Sequence, residues 1–334
     1  MEIYELSLDG RVERISDLPE GVNLVCAFGC FDGVHVGHQA LLSAAVTDAA
    51  RLGDALGEYV APAVWTFSEP ISKPWVMAVS DRLSLCGKYG IRYALCQRFG
   101  DVRALSPEEF IDGLVARCGL IHAVCGYNFR FGYMGKGTPA QMENCLRSAL
   151  ISRESGVGCK MNMEKFVPVT VVDEVCAMGG TVSSTRIRGL IADGEMESVA
   201  ELLGRSYSIS GTVRSGKQLG RTISRPTVNL VYAPDRLVPK FGVYFTYCRI
   251  KGRVYRAVTN IGYRPTVNSD PDSVTCEAHL LDFSETVYGE DVEIIFVHYH
   301  RGEKKFDSVE ALGRQISEDV RIAMEYFDQN GLGV

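Results

Sequence analysis

Ten residues, Gly29-Cys30-Phe31-Asp32-Gly33-Val34-His35-Val36-Gly37-His38, set two imidazoles and three glycines between the apolar run Val22 to Phe28 and a helix-like stretch. A helix N-terminus exposes unpaired backbone N–H groups and a partial positive charge, so phosphate oxygens are favoured there. Gly33 and Gly37 lack a Cβ, which lets the backbone approach a phosphate chain closely and take positive φ where a turn needs it. His35 and His38 are three apart and share one face once the helix has begun. Two imidazoles on that face can donate hydrogen bonds to oxygens that gain charge as a phosphoanhydride bond breaks. Six histidines in 334 residues will sometimes fall three apart by chance. The glycine-rich strand-to-helix turn around this pair is what favours chemistry. Neither G-x-x-x-x-G-K-[ST] nor G-x-G-x-x-G occurs, so both of those phosphate-binding fingerprints are unsupported.

A second group lies far along the chain. Pro226-Thr227-Val228-Asn229 follows a glycine-rich basic stretch, Arg214-Ser215-Gly216-Lys217-Gln218-Leu219-Gly220-Arg221. Thr227 and Asn229 are two apart, so in an extended chain their oxygens point to one side. Hard oxygen donors suit Mg²⁺, which takes few protein groups and fills its other positions with water and phosphate. The same four residues also read as a plain turn entering a strand, and alone they favour that reading. In Thr275-Cys276-Glu277-Ala278-His279-Leu280 the apolar residues alternate, which leaves Glu277 facing the other way beside Thr275 and His279. Glu277 there is either a solvated strand carboxylate or a base.

The elements that must carry these groups divide in two. Up to about residue 204, apolar runs (Val22–Phe28, Val60–Phe67, Tyr93–Gln97, Ile121–Cys125, Val167–Val172) alternate with helical patterns. The clearest helix opens with Ser106-Pro107-Glu108-Glu109, a capping box with proline at the first helical position. Such alternation predicts an α/β domain with a parallel sheet, whose ligands bind at the carboxyl ends of the strands. After Leu203-Gly204 come six short runs without intervening helix: Tyr207–Val213, Pro226–Tyr232, Gly242–Ile250, Arg253–Ile261, Val274–Asp282 and Asp291–His300. They predict a closed antiparallel six-stranded barrel. Asp307-Ser308-Val309-Glu310 reads as a second capping box, followed by an apolar stripe of Val309, Leu312, Ile316, Val320 and Ala323 that would pack on the barrel. The expected domains are therefore 1–204 and 205–334.

Composition narrows the function classes. A content of 46% hydrophobic and 23% charged residues is that of an ordinary globular protein, and 334 residues suggest two domains. A net charge of −6 argues against nonspecific nucleic-acid binding. No apolar run approaches the ~20 residues that cross a bilayer, and the acidic start does not read as a secretion signal. Eleven cysteines without a C-x-x-C pair, mostly among apolar neighbours, read as reduced thiols of a cytoplasmic protein. The sequence gives no expectation for an oligomer.

The first motif resembles the H-x-G-H signature of the nucleotidyltransferase superfamily, in the form G-x-F-D-G-x-H-x-G-H of bacterial FAD synthetases. Gly126-Tyr127-Asn128-Phe129-Arg130-Phe131-Gly132 is similar to that family's G-x-[DN]-F-x-F-G, and Ser183-Ser184-Thr185-Arg186-Ile187-Arg188 to its S-S-T-x-I-R, in the same order. Pro226-Thr227-Val228-Asn229 resembles the P-T-A-N motif of riboflavin kinases. That likeness continues through Phe241-Gly242-Val243-Tyr244, Asn260-Ile261-Gly262-Tyr263-Arg264-Pro265-Thr266, Cys276 to Phe283, Tyr288-Gly289 and Arg301-Gly302-Glu303-Lys304-Lys305-Phe306. From about Asn23 to about Ala323 the chain resembles the bifunctional bacterial riboflavin kinase and FAD synthetase family.

The resemblance implies a Rossmann-like nucleotidyltransferase domain followed by a riboflavin kinase barrel with a C-terminal helix, with ATP and Mg²⁺ as cofactors and riboflavin, FMN and FAD as substrates and products. In the barrel, Thr227 and Asn229 would hold Mg²⁺, Glu277 would take the 5′-hydroxyl proton of riboflavin, and Gly216, Lys217, Gly220 and Arg221 would wrap phosphate. In the first domain FMN would attack the α-phosphorus of ATP. His35 and His38 would steady the reacting centre, and the Gly29, Phe31, Asp32, Gly33 and Gly37 turn with Asn128, Ser184, Thr185 and Arg188 would hold the nucleotide and substrate. Two departures stand out. Phe67-Ser68-Glu69-Pro70-Ile71-Ser72-Lys73-Pro74 lacks the histidine of the family's F-x-P-H-P stretch, and Ser224 replaces the glycine before P-T. Alternatives to the two-activity reading are a riboflavin kinase with an impaired first domain and a flavin-binding regulator without turnover.

Overall fold

The computed structural model describes residues 1–5, 21–69, 71, 74–152, 165–213, 227–231, 236–263, 274–283, 285 and 287–331. They form two compact units, Met1–Ser184 and Thr185–Val334.

The first unit is a parallel sheet in the order β1-β4-β3-β2-β5-β6, from β1 (Glu2–Glu5), β2 (Asn23–Phe28), β3 (Val60–Phe67), β4 (Tyr93–Gln97), β5 (Leu120–Gly126) and β6 (Val169–Val172). Every residue of β2 is buried, as expected of a central parallel strand covered on both faces. The helices are α1 (Val36–Leu56), α2 (Val79–Lys88), α3 (Phe99–Val102), α4 (Pro107–Cys118) and α5 (Pro139–Ser152). The capping box at α4 forms as read: Glu109 N donates to Ser106 Oγ at 3.1 Å and Ser106 N to Glu109 Oε2 at 2.7 Å. The sheet order reverses between β2 and β5, and such a switch point opens a crevice at the carboxyl ends of the strands. Both glycine-rich turns, after Phe28 and after Gly126, leave the sheet at that crevice. The strand β1, which pairs with β4, is absent from the sequence reading because Glu-Ile-Tyr-Glu is too short and acidic to stand out as an apolar run. A small hairpin, β7 (Cys176–Ala177) and β8 (Gly180–Thr181), completes the unit.

The second unit begins with α6 (Ser184–Asp193), whose first residue belongs to the first unit, and α7 (Met196–Leu203). Then come β9 (Tyr207–Thr212), β10 (Thr227–Val231), β11 (Gly242–Ile250), β12 (Arg253–Tyr263), β13 (Val274–Leu280), β14 (Asp291–Arg301) and α8 (Val309–Asn330). The strands pair antiparallel in the order β10-β13-β12-β11-β14-β9. The sheet curls as a half-barrel: among the described residues no ladder joins β9 to β10, which meet where Leu230 packs on Gly211. α7 buries Met196, Val199, Leu202 and Leu203 and packs on β9 and β14, so it groups with the strands that follow it.

The helix α8 starts one residue later than its sequence suggests. Ser308, not Asp307, is the N-cap, accepting from Ala311 N at 3.1 Å. Its buried face also lies further along: Val309 is exposed, while Asp319 is buried and Ala323 and Phe327 cluster with Phe245, Tyr247 and Val258. Asp319 explains the shift. Arg301, at the end of β14, donates to it through Nε (2.9 Å) and Nη2 (2.6 Å), and Gln315 Nε2 adds a third bond at 2.9 Å. Burial alone would raise this carboxyl, and these bonds override it and hold it below the usual range.

Candidate functional site

The glycine-rich turn of the first unit is built in strained backbone. Phe31 (φ 51°), Gly33 (φ 83°) and Val34 (φ 42°) all lie in the left-handed region, which a β-branched residue rarely adopts. Three hydrogen bonds to Asp32 hold it there. Asp32 Oδ1 accepts from the N–H groups of Val76 (2.9 Å) and Met77 (3.3 Å), and Ser184 Oγ donates to Asp32 O (2.9 Å). Arg82, fully buried, donates to Cys30 O (2.5 Å) and Phe67 O (2.6 Å), with its guanidinium 4.2 Å from the Trp75 ring centre. Burial lowers the pKa of that guanidinium, with Asp32 opposing.

His35 is the N-cap of α1, and its Nδ1 accepts from His38 N at 3.2 Å. An Nδ1 that accepts leaves the ring proton of the neutral imidazole on Nε2. The two imidazoles stack, with centroids 3.6 Å apart and planes 15° apart. Gly37 has ordinary helical backbone, so positive φ is not its purpose. A Cβ there would come within 3.2 Å of His35 Nδ1, so the glycine makes room for the ring.

Gly29, His35, Gly37 and His38 line a cavity of about 220 Å³ together with Tyr127, Asn128, Glu174, Ser183 and Ser184. Drug-sized ligands fill roughly 300–1,000 Å³, so the space suits the phosphate end of a nucleotide. Of the other residues named for this site, Phe31 and Asp32 are buried and, like Gly33, shape the turn without lining the cavity. Thr185 and Arg188 follow Ser184 along α6 in the second compact unit. Sequence reasoning missed Arg82: a lone arginine in a helical pattern carries no local signal of its carbonyl partners. An aromatic ladder also closes the strand ends, from Phe129 to Phe28 (5.9 Å), Trp65 (5.9 Å), Phe67 (4.8 Å) and the exposed Phe99 (5.8 Å).

In the second unit Cys276, Ala278 and Leu280 are buried inside the curled sheet, and Glu277 lies on the opposite face as its alternation implies. Register carries the group further. Asn229 stands opposite Glu277 from β10, and Asn260 stands opposite Glu277 from β12, so the three form one row across three strands. Thr227 pairs with His279 on the same face, and Asn229 Nδ2 lies 3.4 Å from Thr227 Oγ1. Asn260 was not singled out in the sequence because its partnership with Glu277 exists only through strand pairing. Gly216, Lys217, Gly220, Arg221 and Ser224 lie outside the described residues.

Comparison with known proteins meets this geometry at both ends. Residues 19–186 match the FAD synthetase family model and residues 203–327 the riboflavin kinase model. The bifunctional riboflavin kinase/FMN adenylyltransferase of Bacillus subtilis is 33% identical over 321 residues, covering 92% of this chain and 94% of its own. The chain belongs to the bifunctional riboflavin kinase/FMN adenylyltransferase family. The Listeria monocytogenes member is 32% identical over 316 residues, covering 92% of this chain and 93% of its own. A solved structure described as a macrolide-efflux protein from Streptococcus pneumoniae matches 97% of this chain and 99% of its own, at TM-score 0.78 and 26% identity. Among the described residues no helix is long and apolar enough to cross a membrane. The chain is thus a two-activity transferase of flavin biosynthesis, a riboflavin kinase and an FMN adenylyltransferase, with ATP and flavins as its substrates.

Proposed function

We propose that each half works through the residues gathered above, with residues 1–204 serving adenylyl transfer and 205–334 the kinase. One observation carries the reading: the residue types suited to phosphate chemistry collect around one cavity in the first unit and along one strand row in the second.

In the first half a phosphate oxygen of FMN attacks the α-phosphorus of ATP, and pyrophosphate leaves. His35 donates from Nε2 and His38 acts beside it, both to oxygens that gain charge in the transition state. The start of α6 at Ser184, continued by Thr185 and Arg188, holds the triphosphate. Asn128 fixes the substrate, and the isoalloxazine ring lies along the exposed end of the aromatic ladder at Phe99, which packs on the buried Phe67. Arg82 ties Phe67 O, and Asp32 ties Val76 and Met77, to the glycine turn.

In the second half Glu277 accepts the 5′-hydroxyl proton of riboflavin as that oxygen attacks the γ-phosphorus of ATP. Thr227 and Asn229 fit Mg²⁺: both present neutral oxygen donors on one face, the sparse protein contribution this ion takes. Held by these two residues, the ion would supply positive charge to the phosphate oxygens. Gly216, Lys217, Gly220 and Arg221 are assigned to the phosphates. The reactions belong in the cytoplasm: eight of the ten described cysteines are buried, and all ten are free thiols.

Incubation with ATP, Mg²⁺ and riboflavin, followed by separation of the flavins, tests the assignment. Accumulation of FMN and then FAD is expected. FMN without FAD would reduce the chain to a kinase, and neither product would overturn the reading.

A further inference from the structure

We propose that Glu303 is a substrate-contacting residue of the kinase site, accepting hydrogen bonds from the ribityl hydroxyls next to the one that is phosphorylated. The inference rests on Glu277 and the Thr227–Asn229 pair marking that site.

Three sequence motifs that the mechanism leaves without a role converge where this exposed carboxylate lies. Arg301 is anchored by its bidentate bond to the buried Asp319. From there the chain crosses the ends of two neighbouring strands, and a glycine stands at each crossing. At Gly242 of β11 (φ 145°) a Cβ would lie 2.3 Å from Arg301 O, and at Gly262 of β12 it would lie 2.0 Å from Glu303 Oε1 and 2.8 Å from Glu303 Cδ. Any side chain at Gly262 would occupy the place of the carboxylate. The glycines of F-G-V-Y and N-I-G-Y thus clear the path for the R-G-E segment.

The strand register then gives the carboxylate its neighbour. Gly262 stands opposite Thr275, and Asn260 opposite Glu277, so Gly262 and Glu277 are diagonal neighbours on one face. Diagonal positions in an antiparallel pair are about 7 Å apart. Thr275 Oγ1 is bonded to Gly262 O at 3.3 Å. Among the described residues no side chain pairs with Glu303.

The chemistry that fits is a short polyol. An ionised carboxylate only accepts, and its two oxygens can take two hydroxyl donors at once. With the 5′-hydroxyl of riboflavin at Glu277, the next hydroxyls of the chain extend along this face toward Glu303. ATP phosphates are the wrong partner for a carboxylate, so the residue serves the flavin.

The test compares riboflavin with an isoalloxazine bearing a 5-hydroxypentyl chain, which keeps the reacting hydroxyl and lacks the others. Glu303→Ala should lower kcat/KM for riboflavin about 10- to 100-fold, the loss expected when hydrogen bonds to a charged group are removed. It should leave the hydroxypentyl compound within about twofold of the wild type, with KM for ATP unchanged. Gly262→Ala should reproduce the pattern, because its methyl displaces only the end of a flexible side chain. An equal fall for both flavins in both variants would mean a structural role and overturn the proposal. So would no fall for either flavin, or a wild type that does not distinguish them. Glu277→Gln is assayed alongside: an unchanged kcat there would remove the site reading itself, whatever Glu303 does.

Discussion

The two proposed sites would steer a phosphate chain with opposite materials. In the first unit the chemistry hangs on backbone: a turn through three left-handed residues, pinned from within by Asp32 and Arg82 and capped by His35. In the second it hangs on side chains laid along one face of a regular sheet, where pairing of β10, β13 and β12 sets their spacing. A backbone site is therefore sensitive to residues that never touch substrate. A strand-face site is sensitive mainly to those that do.

The sharpest way to break this contrast is to disable each half alone. His38→Asn should lower FAD formation by about 10²–10³-fold with FMN formation intact, the loss typical of one transition-state donor. Glu277→Gln should lower FMN formation by about 10²–10⁴-fold while added FMN is still adenylylated. Flavin separation by chromatography reads both. If either variant depresses both steps, the halves are not independent.

Arg82→Met asks whether a residue off the cavity governs the backbone site. It takes the guanidinium donor from the buried Phe67 O and leaves Cys30 O with the Thr66 hydroxyl alone, at about 1–3 kcal/mol for a buried carbonyl that loses its donor, so the unfolding free energy of the first unit should fall by about 1–3 kcal/mol. FAD formation should fall with it and FMN formation should not. Denaturant unfolding together with the flavin assay checks both. His35→Asn separates the two duties of one residue. Asparagine is a good N-cap, so stability should change by less than about 0.5 kcal/mol, while FAD formation is lost.

The first site was legible where its signals are local. The glycines and histidines of Gly29 to His38 lie within a few positions of one another, so type and spacing announced the strand-to-helix turn, as the local capping box announced α4. Arg82 was not legible, because its partners Cys30 and Phe67 are 52 and 15 residues away and are carbonyls that any residue carries. In the second unit the alternation around Glu277 gave its face, and all six strands emerged within a few residues. Asn260 stayed hidden because cross-strand register is a property of the folded sheet. The curl of the sheet was legible as well, from six short strands without an intervening helix, and among the described residues its first and last strands meet at Leu230 and Gly211 without a ladder.

A smaller effect sharpens the contrast through pH. His122, 1% exposed, lies with Asp48 and Thr170 away from the cavity lining, and burial holds its pKa below 6.5 despite the Asp48 charge. The unfolded chain binds that proton more readily, so the stability of the first unit should decline as pH falls through about 6.5. Asp48, burial notwithstanding, is held low by its bonds from Thr170 and Arg51, and it adds a further decline in the acid range. Thermal unfolding between pH 8 and 5 should show the first decline, and His122→Gln should flatten it. Ser308→Ala, which removes the cap of α8, should cost the second unit only about 0.5–1 kcal/mol at any pH in that range.

Phe31 and Val34 occupy backbone wells that disfavour L residues, and both side chains are fully buried, so the surrounding packing opposes a change of the turn. The grip proposed for the nucleotide would thereby be set before any nucleotide arrives. Vacant and loaded forms of the turn should superimpose, and whatever opening admits substrate must be supplied by other parts of the chain.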